Sequence, residues 1–257
     1  EGAAASLATT GEAQAWEEAD ADVQAKPHGA GFVLDGVAHF VQDARKAAFF
    51  VVSAHSASGP LLARVAADAP GLTVAPDRIT DLTRDQASVE LRGVEVAADA
   101  VLAAPGRAND AIRAALPSIL TLVAADLCGA GEWQLQTTAE YARTRKQFDH
   151  PIGYFQAVKH PIVNMMIDVD RAKSLVYAAA CAVDHEPAQA LRLARMAKAA
   201  ASDAARYLTG RSIQLHGGIG FTWECDVHLW AKRQQHGRFL FGDGNWHRAA
   251  LAEAYDG

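Results

Sequence analysis

At 257 residues, half of them apolar and 21% charged, the chain has the composition of a globular protein and can fill one large domain or two ordinary ones. Its net charge of -6 excludes a general nucleic-acid binder, which needs a basic face. No uninterrupted run of about 18 apolar residues occurs, so no membrane span is expected, and the first residues lack the positive start of a secretory signal. The cysteines, Cys128, Cys181 and Cys225, are far apart and without metal-ligand spacing. They read as small packing residues in a reducing, cytoplasmic setting.

In chain order, residues 1–103 read as β structure. Phe32-Val33-Leu34 and Val37 to Val41 flank Asp35-Gly36, which predicts a hairpin turn. Phe49-Phe50-Val51-Val52 predicts a buried strand, and Val89 to Val96 alternates around Gly93. Short strands at this spacing predict a small β barrel or sandwich. Ala104-Pro105-Gly106-Arg107 forms a linker, after which Asn109 or Asp110 can cap a helix.

Helical periodicity then dominates residues 108–257. A first helix is expected over 110–145, interrupted by Pro117, and a second over 155–184, with Val158, Ile162, Met165, Val169, Ala172 and Val176 on one face. Pro187 opens a third, rich in alanine; a fourth spans 227–240, and a short last one 248–255. Four long helices with short connections predict an antiparallel four-helix bundle, giving an α+β chain overall.

Two stretches carry the chemistry. Gln214-Leu215-His216-Gly217-Gly218-Ile219-Gly220-Phe221 ends the third helix with glycines that can bring bare backbone close to a ligand. Upstream lie Arg145-Lys146-Gln147-Phe148, Pro151-Ile152 and Phe155-Gln156. Together these resemble the C-terminal domain signature of the acyl-CoA dehydrogenase family, and the β half resembles that family's middle domain. The resemblance implies FAD as cofactor, reached across a subunit interface. Arg145 would meet the pyrophosphate with its planar donor fork. Phe148 and Gln156 would lie beside the cofactor, and Gln214, Leu215, His216, Gly217 and Gly218 would meet its adenine and phosphate side.

The same resemblance marks departures. The family's flavin loop carries a proline and a Ser-Asp pair that Leu7 to Trp16 lack, and its Trp-Ile-Thr motif stands here as Phe40-Val41-Gln42. A further N-terminal helical domain of the family has no counterpart in these residues, as in a shortened subunit or a fragment. The family's catalytic glutamate falls at Phe241 or Gly242, or in its other known location at Ile119, and none of these is acidic. Asp243 is the nearby substitute, shifted along the turn.

The expectation is therefore a subunit of a heteromeric acyl-CoA dehydrogenase of the type acting on steroid side chains. A homologous partner would supply the glutamate, an acyl-CoA would be the substrate, and an electron-transfer protein would be the acceptor. The alternatives are a self-sufficient homo-oligomer with Asp243 as base, or an interaction subunit without flavin. Among the histidines, His160 and His216 read as structural, His228 as positional, and His236 and His247 as surface residues.

Overall fold

The computed structural model describes residues 4–256, which divide into two compact units. The first runs to Thr80 and resumes over Arg84–Ala115; the second comprises Asp81–Thr83 and the chain from Leu116 onward.

The first unit is one mixed eight-stranded sheet. Its strands are β1 (Ala5–Ala8), β2 (Asp22–His28), β3 (Gly31–Gln42), β4 (Phe49–Ser56), β5 (Gly59–Ala66), β6 (Leu72–Pro76), β7 (Gln86–Val96) and β8 (Val101–Ala103). They pair in the order β6-β7-β3-β2-β4-β5-β8, and β1 lies parallel to β4. Val23, Leu34, Phe50, Leu61, Val89 and Val94 from these strands form one core. The predicted hairpin turn at Asp35-Gly36 is corrected: both residues lie inside β3, where the register with β7 shifts between Leu34 and Gly36. Gly36 has φ 141, and a Cβ there would run into the Asp22 carbonyl of β2, so glycine serves close strand approach rather than chain reversal. The reversal comes at Gly29, φ 56, between β2 and β3.

Helix α1 (Ala108–Thr144) begins within the first unit, where Ala108 and Ile112 pack with Ala19, Leu62 and Ala103. Asn109 does not cap it; its side-chain oxygen accepts the Ala19 N–H at 2.8 Å. By length and composition α1 could cross a membrane, which a search for uninterrupted apolar runs misses. Core helices share that property, and Leu116, Leu120, Ala124 and Leu127 of α1 do line a core.

In the second unit, α2 (Gln156–His185) and α3 (Pro187–His216) are separated by Glu186 alone, so they pack as an antiparallel pair. Met165, Val169, Ala172 and Ala179 of α2 join Ala194, Ala197, Ala201 and Leu208 of α3 and the α1 residues above in one core. Helix α4 (Val227–Phe239) and helix α5 (Gly244–Asp256) also pack on α3. The last helix thus starts four residues before the expected Arg248, because Asp243 closes its first turn.

Candidate functional site

Arg145 follows the last residue of α1, and its N–H still bonds the Tyr141 carbonyl at 2.9 Å. Its own carbonyl accepts the Ile152 N–H at 2.8 Å, which folds the following segment back onto the helix end. Two short strands, β9 (Lys146–Gln147) and β10 (His150–Pro151), make that fold-back a miniature hairpin. Its two turn residues, Phe148 and Asp149, have φ 52 and 61, the sign pattern of a type I′ turn, where asparagine and glycine are the usual occupants. Phe148 is 84% exposed, with its ring edge-on to Phe155 at 6.1 Å. Gln156 opens α2 beside it and is exposed, as is Arg145. An aromatic ring held toward solvent by left-handed backbone is a strained arrangement of the kind that collects at binding sites.

The end of α3 meets this region through a ring stack: His216 lies on Tyr141 with centroids 4.5 Å apart and planes at 22°. His216 is 4% exposed, and its Nδ1–H donates to the Ser212 carbonyl at 2.7 Å. Burial lowers its pKa, so the ring is neutral. Gln214, Leu215 and His216 lie within α3, so their N–H groups belong to the helical ladder, and the Gly217 N–H bonds back to Ile213 and Gln214 carbonyls. What faces outward is the Gln214 side chain and the bare surface of Gly217 and Gly218, where an added Cβ would meet nothing within 4 Å. The predicted residues on α1, α2 and α3 are thus tied to one end of the helical unit.

The turn between α4 and α5 is where a base would be sought. Phe241 has φ 55, and its ring packs against the helical core. The Asp243 carboxylate accepts the N–H groups of Asn245 and Trp246, both at 3.0 Å. Those two bonds, with Trp246 first, hold its pKa below the usual carboxylate range against the opposing effect of burial. The carboxylate is thus the N-cap of α5.

Sequence reasoning missed the most unusual group here. Lys198 of α3 is 0% exposed, and its Nζ donates to Gly242 O at 2.6 Å, Arg238 O at 3.0 Å and Ser202 Oγ at 3.1 Å. Burial pushes its pKa down to about 7. The expectation that His247 lies at the surface is also corrected: it is 0% exposed on α5, and burial, with Lys198 and Arg195 nearby, lowers its pKa to about 3. His236, likewise expected at the surface, has its Nδ1 3.7 Å from the mostly buried Asp81.

The β unit offers a contrasting picture at the loop the resemblance assigns to flavin. The N–H groups of Glu12, Gln14, Ala15, Glu18, Ala19, Asp20 and Ala21 are all taken by acceptors within this unit. The assigned stretch, Leu7 to Trp16, carries Glu12 and no basic residue, and Glu17, Glu18, Asp20 and Asp22 follow it directly. Trp16 tilts onto Phe40 at 6.2 Å. With seven of its N–H groups engaged and no positive charge among its residues, this segment is a poor fit to a dianionic dinucleotide. The exposed arginine, aromatic ring and open glycine surface of the helical unit do fit one face of such a group.

The model of the acyl-CoA dehydrogenase C-terminal domain matches residues 111–255. FadE34, an acyl-CoA dehydrogenase of Mycobacterium tuberculosis, is 36% identical over 183 residues, covering 70% of this chain and 24% of that protein. The acyl-CoA dehydrogenase IpdE2 of the same organism is 46% identical over 112 residues, 44% of this chain and 33% of IpdE2. The chain therefore spans about a quarter to a third of these relatives' length. In structure it is similar to the ChsE4–ChsE5 complex from M. tuberculosis, with TM-score 0.86 and 29% identity, covering 99% of this chain and 66% of that one. Butyryl-CoA dehydrogenase from Megasphaera elsdenii shares the fold, with TM-score 0.91 and 23% identity over 98% of this chain and 68% of its own. With more than half its length matched by the family's own domain and its fold shared from end to end, the chain belongs to the acyl-CoA dehydrogenase family.

Proposed function

We propose that this chain is the non-catalytic subunit of a heteromeric, FAD-dependent acyl-CoA dehydrogenase, completing from its helical unit a flavin site whose remainder belongs to a homologous partner. The observation that carries this reading is a contrast within one chain. At the α4–α5 turn, Phe241 is packed inward and Asp243 is occupied as a cap, while Arg145, Phe148, Gln156 and Gly217–Gly218 stay exposed. Among the described residues Arg145 enters no ion pair, so its fork remains available to a phosphate.

The reaction is α,β-dehydrogenation of an acyl-CoA thioester. FAD, when bound, supplies the acceptor for the hydride leaving the β-carbon. A weakly acidic α-proton requires a carboxylate in a dry site, and the partner contributes that glutamate. In this chain Arg145 would hold the pyrophosphate, Phe148 would shield the cofactor from water, and Gln156 and the Gln214–Gly218 segment would fix its adenine side. The ChsE4–ChsE5 complex and a Tcur3481–Tcur3483 steroid dehydrogenase variant, 28% identical with TM-score 0.78 over 90% of this chain and 62% of that one, support a two-chain assembly. The latter, a steroid dehydrogenase, also favours a steroid acyl-CoA, which we take to be a side-chain thioester, with an electron-transfer protein proposed as final acceptor.

The test is flavin content. The chain purified alone should be colourless, and co-expression with a glutamate-bearing homologue should give a yellow complex that Arg145→Gln in this chain depletes of flavin. A yellow homo-oligomer bleached by an acyl-CoA would overturn the proposal.

A further inference from the structure

Lys198 lies in the alanine-rich middle of α3, where residues 197–202 are all buried. An ammonium in that position is stable only if each of its three N–H bonds finds an acceptor. It finds three: the Arg238 carbonyl near the C-terminal end of α4, the Gly242 carbonyl in the following turn, and the Ser202 hydroxyl one turn along α3. The last carbonyls of a helix have no partner of their own and carry its negative dipole end, so a cation there acts as a cap.

The surrounding charges are specific. Arg195 shares α3, Arg238 is on α4, Asp243 is in the turn, and His247 lies on α5. Asp203 is already taken by Arg248, through contacts of 2.6 and 3.5 Å. Among the described residues no carboxylate forms a hydrogen-bonded pair with Lys198; its directed bonds go to two carbonyls and a hydroxyl.

We propose that Lys198 is the positioning residue of the α4–α5 turn: its ammonium draws the end of α4 and the Gly242 carbonyl to one point, holding Phe241 in left-handed backbone with its ring in the helical core. Two further bonds define the held state, Gly242 N–H to Phe239 O and His247 N–H to Asp243 O, both at 3.1 Å. The Ser202 hydroxyl, 3.5 Å from Arg238 O, can donate there while accepting from Lys198, or reverse toward a neutral amine. The cage therefore persists, one bond weaker at Arg238 O, when the lysine loses its proton.

The inference needs neither flavin nor partner, so its failure and that of the half-site reading are separable. The experiment is hydrogen exchange on the chain alone, resolving the amides of Gly242, Asn245, Trp246 and His247 in wild type, Lys198→Met and Ser202→Ala. Lys198→Met should raise exchange at these amides by about tenfold or more while α1 and α2 change less than about twofold; Ser202→Ala should raise it about threefold at the same amides. After correction for intrinsic exchange, wild-type protection there should rise as pH climbs through neutrality, because opening exposes the lysine and returns its pKa from about 7 toward 10.5, while Lys198→Met should be flat. Unchanged exchange in the turn, or loosening spread evenly over the helical unit with no pH difference, would overturn the assignment. Should Lys198→Met fail to fold, the local signature of Ser202→Ala decides.

Discussion

The Asp243 carboxylate and the Trp246 N–H meet at 3.0 Å, so the one acidic side chain near the expected base position closes the first turn of α5. Asp243→Ala should therefore lower stability by about 0.5–2 kcal/mol, the range for a lost N-cap, while Asp243→Asn keeps most of it. Neither should change turnover of the assembled dehydrogenase by more than about twofold. Thermal melts and dehydrogenase assays of the two variants check both statements. A loss of about a hundredfold in Asp243→Asn with an unchanged melt would identify a base instead.

His247 makes stability depend on acid. Its folded pKa of about 3 lies below the ordinary 6.5, so between those values the unfolded chain binds more protons. Stability should rise with pH across that window and fall, by on the order of a few kcal/mol, as pH drops from 6.5 toward 3. His247→Gln should flatten this dependence in denaturant titrations at a series of pH values. An unchanged pH slope in the variant would show that the imidazole is not kept neutral.

Phe148 sets stability against binding. Its backbone at φ 52 suits glycine, and its ring is mostly in solvent. Phe148→Gly should leave the melting temperature unchanged or raise it, by relieving strain on the order of 1 kcal/mol, yet reduce flavin retention in the complex. Loss of flavin together with a large drop in melting temperature would make the ring a packing element.

The paired glycines should separate by substitution. Gly217, with φ 65 and ψ -143, sits where other residues are strained, so Gly217→Ala should cost about 1–3 kcal/mol although nothing crowds its Cβ. Gly218 lacks that backbone constraint and also faces open space, so Gly218→Ala should alter stability by less than about 0.5 kcal/mol. Both should weaken flavin retention, Gly218→Ala purely by intruding on the approach surface. Melting curves alongside flavin occupancy make the distinction.

Much of this architecture is readable from residue spacing where spacing has contrast. The three-to-four rhythm of Val158, Met165, Val169 and Ala172 marks α2 because polar residues alternate with them, and Met165, Val169 and Ala172 are indeed buried. Helix α3 lacks that contrast: alanine occurs on every side, so a wholly buried Lys198 looks like any solvated lysine. His247 stands in Asn-Trp-His-Arg, a stretch with no apolar period, and only the earlier start of α5 turns it inward. Asp35-Gly36 has the composition of a turn, yet the close passage of β2 uses the glycine differently. For the candidate site, chain order brings out the motifs, but the stack on His216 that ties the end of α3 to α1 rests on Tyr141, which lies outside both.

Helix α3 touches α2, α4 and α5, and buried residues occupy its circumference from Ala197 to Ser202. Because methyl groups already fill that girdle, even one added methylene would push against a neighbouring backbone whichever way it pointed. A saturation-mutagenesis map of the protein would thus show α2 as stripes and the centre of α3 as a solid band. Substitution in this helix should therefore be tolerated mainly toward its two ends, where the glycine turn and the connection from α2 lie.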